Sequence, residues 1–193
     1  MPSNQNKMIA KLMHSAFGDK PNARVVEYLD DDESLRIPIL ICPDSPLENF
    51  TTCATIGLSD YPMYQNNREF PSRLEIISVG NTGLEWFPNV VSTAAFYIMQ
   101  NRWLCHPGGT LLNVLNDYAL NLDLIHLYFT SPFLWQEELK TLQIETKMVS
   151  WLLAIPITDA EYKYIKDYGD EKFEDLLEKS EIDVFDMNRH SAI

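Results

Sequence analysis

A chain of 193 residues with 28 acidic and 15 basic side chains carries a formal charge of −13, and a field of that sign opposes binding to nucleic acid or anionic lipid. Its longest apolar runs, such as SWLLAIPI at 150–157, fall far short of the ~20 residues a membrane helix needs, so no membrane span is expected. The length suits one domain around one core, burying roughly 70% of the surface of the unfolded chain.

Residues 4–17 place Met8, Ile9, Leu12, Met13, Ala16 and Phe17 at helical spacing, with Gly18 as a stop. Strands are expected at 24–29, 36–42, 51–58 and 72–79, where β-branched and apolar residues cluster. Pro38 cannot donate to a ladder, which predicts that its strand lies at an edge or begins there. In GLEWFPNVVSTAAFYIMQN, Val90, Val91, Ala94, Ala95 and Ile98 share a face behind Pro88, so a buried helix is expected. Residues 123–129 and 149–157 read as interior strands, apolar on both faces. Thr158 and Glu161 have the spacing of a capping box, with Ala160, Tyr164 and Tyr168 as the predicted apolar stripe and Gly169 as the stop. A last helix carries Phe173, Leu176 and Leu177. Strands and helices do not alternate regularly, which argues for an α+β domain with a mixed, largely antiparallel sheet against helices, spanning 1–193.

The sequence offers little to catalysis. TIGLSDYPM at 55–63 falls one glycine short of the G-x-S-x-G nucleophile elbow, because Tyr61 stands in the second glycine's place. The four histidines lack a hydrolase context: His126 sits in an apolar strand, and Cys105-His106 opens a turn rich in proline and glycine. No zinc-binding spacing, calcium loop, dinucleotide fingerprint or phosphate loop is present. Neither metal nor cofactor is expected, and the chain is read as a non-enzyme. Cys42, Cys53 and Cys105 form no C-x-x-C pair, which fits reduced, buried thiols. The first 18 residues lack the apolar core and cleavage site of a signal peptide, so a cytoplasmic location is expected.

Polar groups embedded in apolar sequence are more informative: Ser59, Asp60, Arg73, Glu75, Asp186 and Arg189. Burying such groups unpaired is costly, roughly 3 to 5 kcal/mol for a broken buried ion pair. The expectation is a structural network in which Asp60 or Glu75 meets Arg73 or Arg189 and holds the 55–63 corner. The negative charge is also uneven, since residues 157–186 hold 11 acidic against 4 basic side chains and Asp30, Asp31, Asp32 and Glu33 follow one another.

GLSD at 57–60, RLEIISV at 73–79, PFLW at 132–135, VSWLLAIPITDAE at 149–161, YGDEKFEDLLE at 168–178 and DVFDMNRHS at 183–191 together resemble the suppressor-of-fused-like domain family over roughly residues 37–192. The ordered recurrence of these weak motifs carries the resemblance. Within the family the chain is similar to small bacterial members that resemble immunity proteins, or antitoxins, set against LXG-type toxins with a C-terminal nuclease domain. The resemblance implies a non-enzymatic protein in which GLSD is a fold element, and a toxin as partner.

A nuclease needs a basic groove for phosphates, and an acidic inhibitor would both speed encounter and occupy that groove. The candidate contacts are Asp30, Asp31, Asp32 and Glu33, with Asp170, Glu171, Glu174, Asp175 and Asp183 on the last helix and beyond. Aromatic anchors are sought among Tyr61, Tyr64, Trp86, Trp103 and Trp135. The alternative is a regulatory or scaffold module that holds a segment of a host protein.

Overall fold

The computed structural model describes residues 3–118, 122–144 and 147–193. Helix α1 (Asn4–Ala16) begins at Ser3, whose hydroxyl accepts the Asn6 amide at 3.0 Å. Strands β1 (Arg24–Leu29), β2 (Arg36–Pro43) and β3 (Phe50–Thr55) form an antiparallel meander. A 3₁₀ turn at Leu58–Asp60 and a small hairpin, β4 (Tyr64–Gln65) with β5 (Arg68–Glu69), lead into β6 (Ser72–Asn81). Then follow α2 (Phe87–Asn101), β7 (Thr110–Leu111), β8 (Leu124–Thr130), β9 (Leu142–Ile144), β10 (Lys147–Thr158), α3 (Asp159–Tyr168) and α4 (Asp170–Lys179).

One eight-stranded sheet runs in the order β1-β2-β3-β6-β10-β8-β7, with β9 pairing β10 beside the start of that strand. All its ladders are antiparallel except β6 against β10. The fold is thus α+β with a mixed, mostly antiparallel sheet. Strand alternation explains the layers: Ile37, Ile39 and Ile41 of β2 face α2, whereas Leu40 and Cys42 face α1 and the two last helices. Because helices cover both faces, the central strands read as continuous apolar runs rather than alternating ones.

Pro38 is a correction. Its strand lies between β1 and β3 rather than at an edge. The ladder with β3 starts only at Ile39, and the Pro38 carbonyl accepts the Ile56 amide at 2.8 Å, so the missing donor falls where β3 leaves the sheet.

On α3 the capping box forms as expected, but the buried residues are Glu161 and Ile165, while Ala160 and Tyr168 are exposed. Gly169, at φ +92°, both ends α3 and begins α4. That left-handed φ suits glycine. Among the described residues no helix is long and apolar enough to cross a membrane.

Candidate partner-binding surface

The GLSD corner is organised from beneath by Glu75. This residue of β6 is fully buried, and its carboxylate accepts the Thr55 hydroxyl (2.6 Å) and the backbone amides of Gly57 (2.9 Å), Leu58 (3.2 Å) and Ser59 (3.1 Å). It therefore takes the orphan donors at the start of the 3₁₀ turn, and no side chain caps that turn at its first residue. Burial pushes the Glu75 carboxyl up to about 7, against hydrogen bonds from Thr55, Ser59 and Gly57 that draw it down. Gly57 is required, because its φ is +93° and a Cβ there would stand 2.7 Å from the Asn6 amide of α1.

The expected pairings within the network are not the observed ones. Neither Arg73 nor Arg189 meets Glu75 or Asp60. Arg73 pairs with Glu69 and donates to the Phe70 carbonyl, closing the approach to β6. Asp60 pairs with Lys147 at 2.7 Å and accepts from Asn6 at 3.0 Å. Asp186 shapes a turn in the C-terminal segment: its carboxylate accepts the Asn188 amide (2.9 Å) and its carbonyl the Arg189 amide (3.1 Å). That turn delivers Arg189 onto Glu161.

Arg189 donates from both terminal nitrogens to Glu161, at 2.6 and 2.8 Å, and also reaches the Pro156 carbonyl at 2.9 Å. Glu161 further accepts the Thr158 and Ala192 amides. Sequence reading found Glu161 only as a cap, because a partner 28 residues away leaves no local spacing signal.

Ser59 is fully buried. Its backbone amide is one of the donors that Glu75 holds at the corner. Burial raises the Cys53 and Cys105 thiols far above their ordinary range and lifts Cys42 to about 11. His126 is buried, accepts the Asn113 backbone amide at Nδ1 (2.9 Å), and is held below its usual range by desolvation. Among the described residues no group of three or more His, Cys, Asp or Glu could hold a metal.

The acidic residues divide by environment. Asp30 is only 9% exposed and turned inward: it accepts the Leu35 amide (2.8 Å), the Ser34 hydroxyl and the Gln100 amide of α2. The Leu35 bond in particular holds its carboxyl below the ordinary range. Asp30 braces the β1–β2 loop, which removes it from the candidate contacts, while Asp31, Asp32 and Glu33 beside it are exposed. Asp170, Glu171, Glu174, Asp175 and Asp183 are exposed too. Glu174 nevertheless accepts the Tyr128 hydroxyl (2.8 Å) and the Thr130 hydroxyl (2.6 Å) from β8.

Five strand steps separate β1 from β8. At about 4.8 Å per step that is roughly 24 Å, more than twice the screening length of ~8 to 10 Å in physiological salt. The two acidic regions are separate features.

Aromatic anchors also differ from expectation. Trp135 is buried, its ring tilted by 60° against that of Phe17 with centroids 4.9 Å apart, and Tyr61, Tyr64, Trp86 and Trp103 are half-buried. The exposed large apolar side chains include Phe133 and Leu134, neighbours of Trp135 in PFLW. Next to them, α4, the end of β8 and the C-terminal segment enclose a groove of about 670 Å³ lined by Tyr128, Thr130, Phe133, Glu174, Asp183 and Phe185, among others.

Comparison with known proteins agrees with this architecture. The model of the family described as Suppressor of fused protein (SUFU) matches residues 33–190. The Immunity protein YqcF of Bacillus subtilis (strain 168) is 38% identical over 189 residues, covering 98% of this chain and 97% of the relative. A putative SUFU homologue from Neisseria gonorrhoeae FA 1090 superposes with a TM-score of 0.69 at 16% identity, covering 98% and 97% of the two chains. A chain of the Sufu-Fu complex superposes with a TM-score of 0.71 at 13% identity, covering 100% of this chain and 93% of that one. By its match to the family model over most of its length, the chain belongs to the suppressor-of-fused family.

Proposed function

We propose that this protein is an immunity protein, one that neutralises a toxin by stoichiometric binding and without catalysis. The observation that carries the reading is the 38% identity to Immunity protein YqcF across nearly the whole of both chains. A nuclease of the LXG type is the toxin we infer, and the cytoplasm the place of action. The charge of −13 supports this, because a nuclease must present cations to its phosphates and those cations attract an acidic inhibitor. The burial of Ser59 and Cys105 supports a role that does not depend on a nucleophile. The competing reading, a regulatory module holding a host protein segment, rests on likeness of fold to a chain of the Sufu-Fu complex at 13% identity.

The test is co-expression with the toxin polypeptide encoded beside the gene, scoring cell survival and co-purification at one-to-one stoichiometry. Survival with a stable complex is the expected result. Death of the cells despite abundant soluble protein would overturn the reading.

A further inference from the structure

The groove beside α4 is concave, aromatic and electrostatically unbalanced. Its floor is the buried Tyr128 and Ile155. Three carboxylates, of Glu174, Glu178 and Asp183, line it, and none of the described lining side chains is basic. None of the three forms an ion pair with a lysine, arginine or histidine among the described residues.

Glu174 is held in place rather than left to swing. Tyr128 and Thr130 both donate to its Oε1, which fixes the carboxylate with neutral donors in the groove lining. In the same lining, Phe133 and Phe185 stack with centroids 6.1 Å apart and planes inclined by 23°. The Asp183 carboxylate accepts the Phe185 amide at 3.0 Å and so steadies that ring. Phe133 stays 44% exposed and Leu134 40% exposed.

An anchored carboxylate and an aromatic stack lining one groove make the environment a guanidinium satisfies at once, by charge-assisted hydrogen bonds and by lying over a ring. Lysine, a point charge without a planar face, gains less from such a site. Resting on the immunity reading, we propose that this groove receives an arginine of the toxin, carried on an apolar segment that also covers Phe133 and Leu134. The loop bearing Asp31, Asp32 and Glu33 then contributes only to long-range attraction.

The probe is the toxin polypeptide against which the wild-type protein protects, with Kd measured by calorimetry at about 0.15 M salt. Glu174→Gln keeps an acceptor for the two hydroxyls and removes the charge, Glu178→Lys reverses a charge on the groove wall, and Phe133→Ala removes the exposed half of the aromatic stack. The Glu174→Gln/Glu178→Lys pair is expected to weaken binding about 100-fold and Phe133→Ala about 10-fold, while Asp31→Lys/Asp32→Lys changes Kd less than about threefold. Circular dichroism and thermal melts accompany each variant. Should Glu174→Gln fail to fold, Glu178→Lys and Phe133→Ala decide the matter alone. Wild-type-like Kd in the groove variants, with protection by the wild type intact, overturns the groove and leaves the immunity reading standing. Failure of the wild type to bind any toxin overturns both.

Discussion

Glu75 and Glu161 are both completely buried carboxylates, and they are satisfied in opposite ways. Among the described residues Glu75 meets no cation: its partners there include one hydroxyl and three backbone amides of the turn it supports. Glu161 meets a permanent cation, Arg189, in a two-point contact that ties the C-terminal segment to the end of the central strand. The first arrangement shapes a local turn and leaves a group that can still exchange a proton near neutrality. The second spans 28 residues and commits two charges to each other, so that removing either strands the other in a low-dielectric interior.

That contrast is broken most directly at Arg189. Arg189→Leu leaves the Glu161 carboxylate without its countercharge and is expected to cost about 3 to 5 kcal/mol in urea unfolding at pH 7. The double variant Arg189→Leu/Glu161→Leu should recover a large part of that loss, since no lone charge remains buried. A single-variant loss below about 1 kcal/mol would mean that the clamp is solvated or dispensable.

Glu75 should instead reveal itself through pH. Its folded carboxyl is raised to about 7 from an ordinary 4.5, so between those values the native state binds the proton more tightly than the unfolded state. Its contribution is therefore fully present below about pH 4.5 and lost as pH rises through about 7, a span worth about 3 kcal/mol. Glu75→Gln removes that dependence. The stability difference between wild type and Glu75→Gln should shift in favour of the variant by that amount from pH 4.5 to 8, while a difference that stays flat would show that the carboxylate is already ionised at pH 4.5.

These two sites also mark how far the sequence could be read. The helix at 4–17, the four strands to residue 79, the buried helix behind Pro88 and the interior strand at 149–157 follow from periodicity, and the structure places each within a few residues. Strands β4, β5, β7 and β9, two or three residues long, are too short to carry a period. The charged residues could be recognised as embedded, yet not paired. Arg73 found Glu69 four positions away, a local partner, whereas Asp60 found Lys147 and Arg189 found Glu161 through the way distant elements are brought together in the fold. Asp30 is the sharpest case: within a run of four acids it alone turns inward, for hydrogen bonds to its own loop and to Gln100 that no composition argument reveals.

A smaller effect isolates the backbone part of the Glu161 cluster. The Thr158 hydroxyl accepts the Glu161 amide at 3.1 Å while Glu161 returns a bond from the Thr158 amide. Thr158→Ala removes half of that box and should cost about 1 kcal/mol in chemical unfolding. A loss as large as that of Arg189→Leu would mean that the hydroxyl, which also meets Ser191 at 3.0 Å, is what docks the C-terminal segment, and the comparison between the two carboxylates would need the segment's whole network in place of one ion pair.

The smallest effect on stability belongs to Asp31 and Asp32, and its smallness is what makes it informative. Both are exposed, in contrast to Asp30 beside them, so Asp31→Lys/Asp32→Lys should change unfolding free energy by no more than about 0.5 kcal/mol. Any effect must then come through the long-range field, which acts on encounter and fades within ~10 Å at 0.1 M salt. With a basic partner, the association rate of the double variant should fall several-fold at low ionic strength and converge on the wild-type rate as salt is raised, with little change in dissociation. A loss that persists at high salt, carried by faster dissociation, would place the loop in direct contact with the partner and move the interface across the sheet from α4 to the β1 edge.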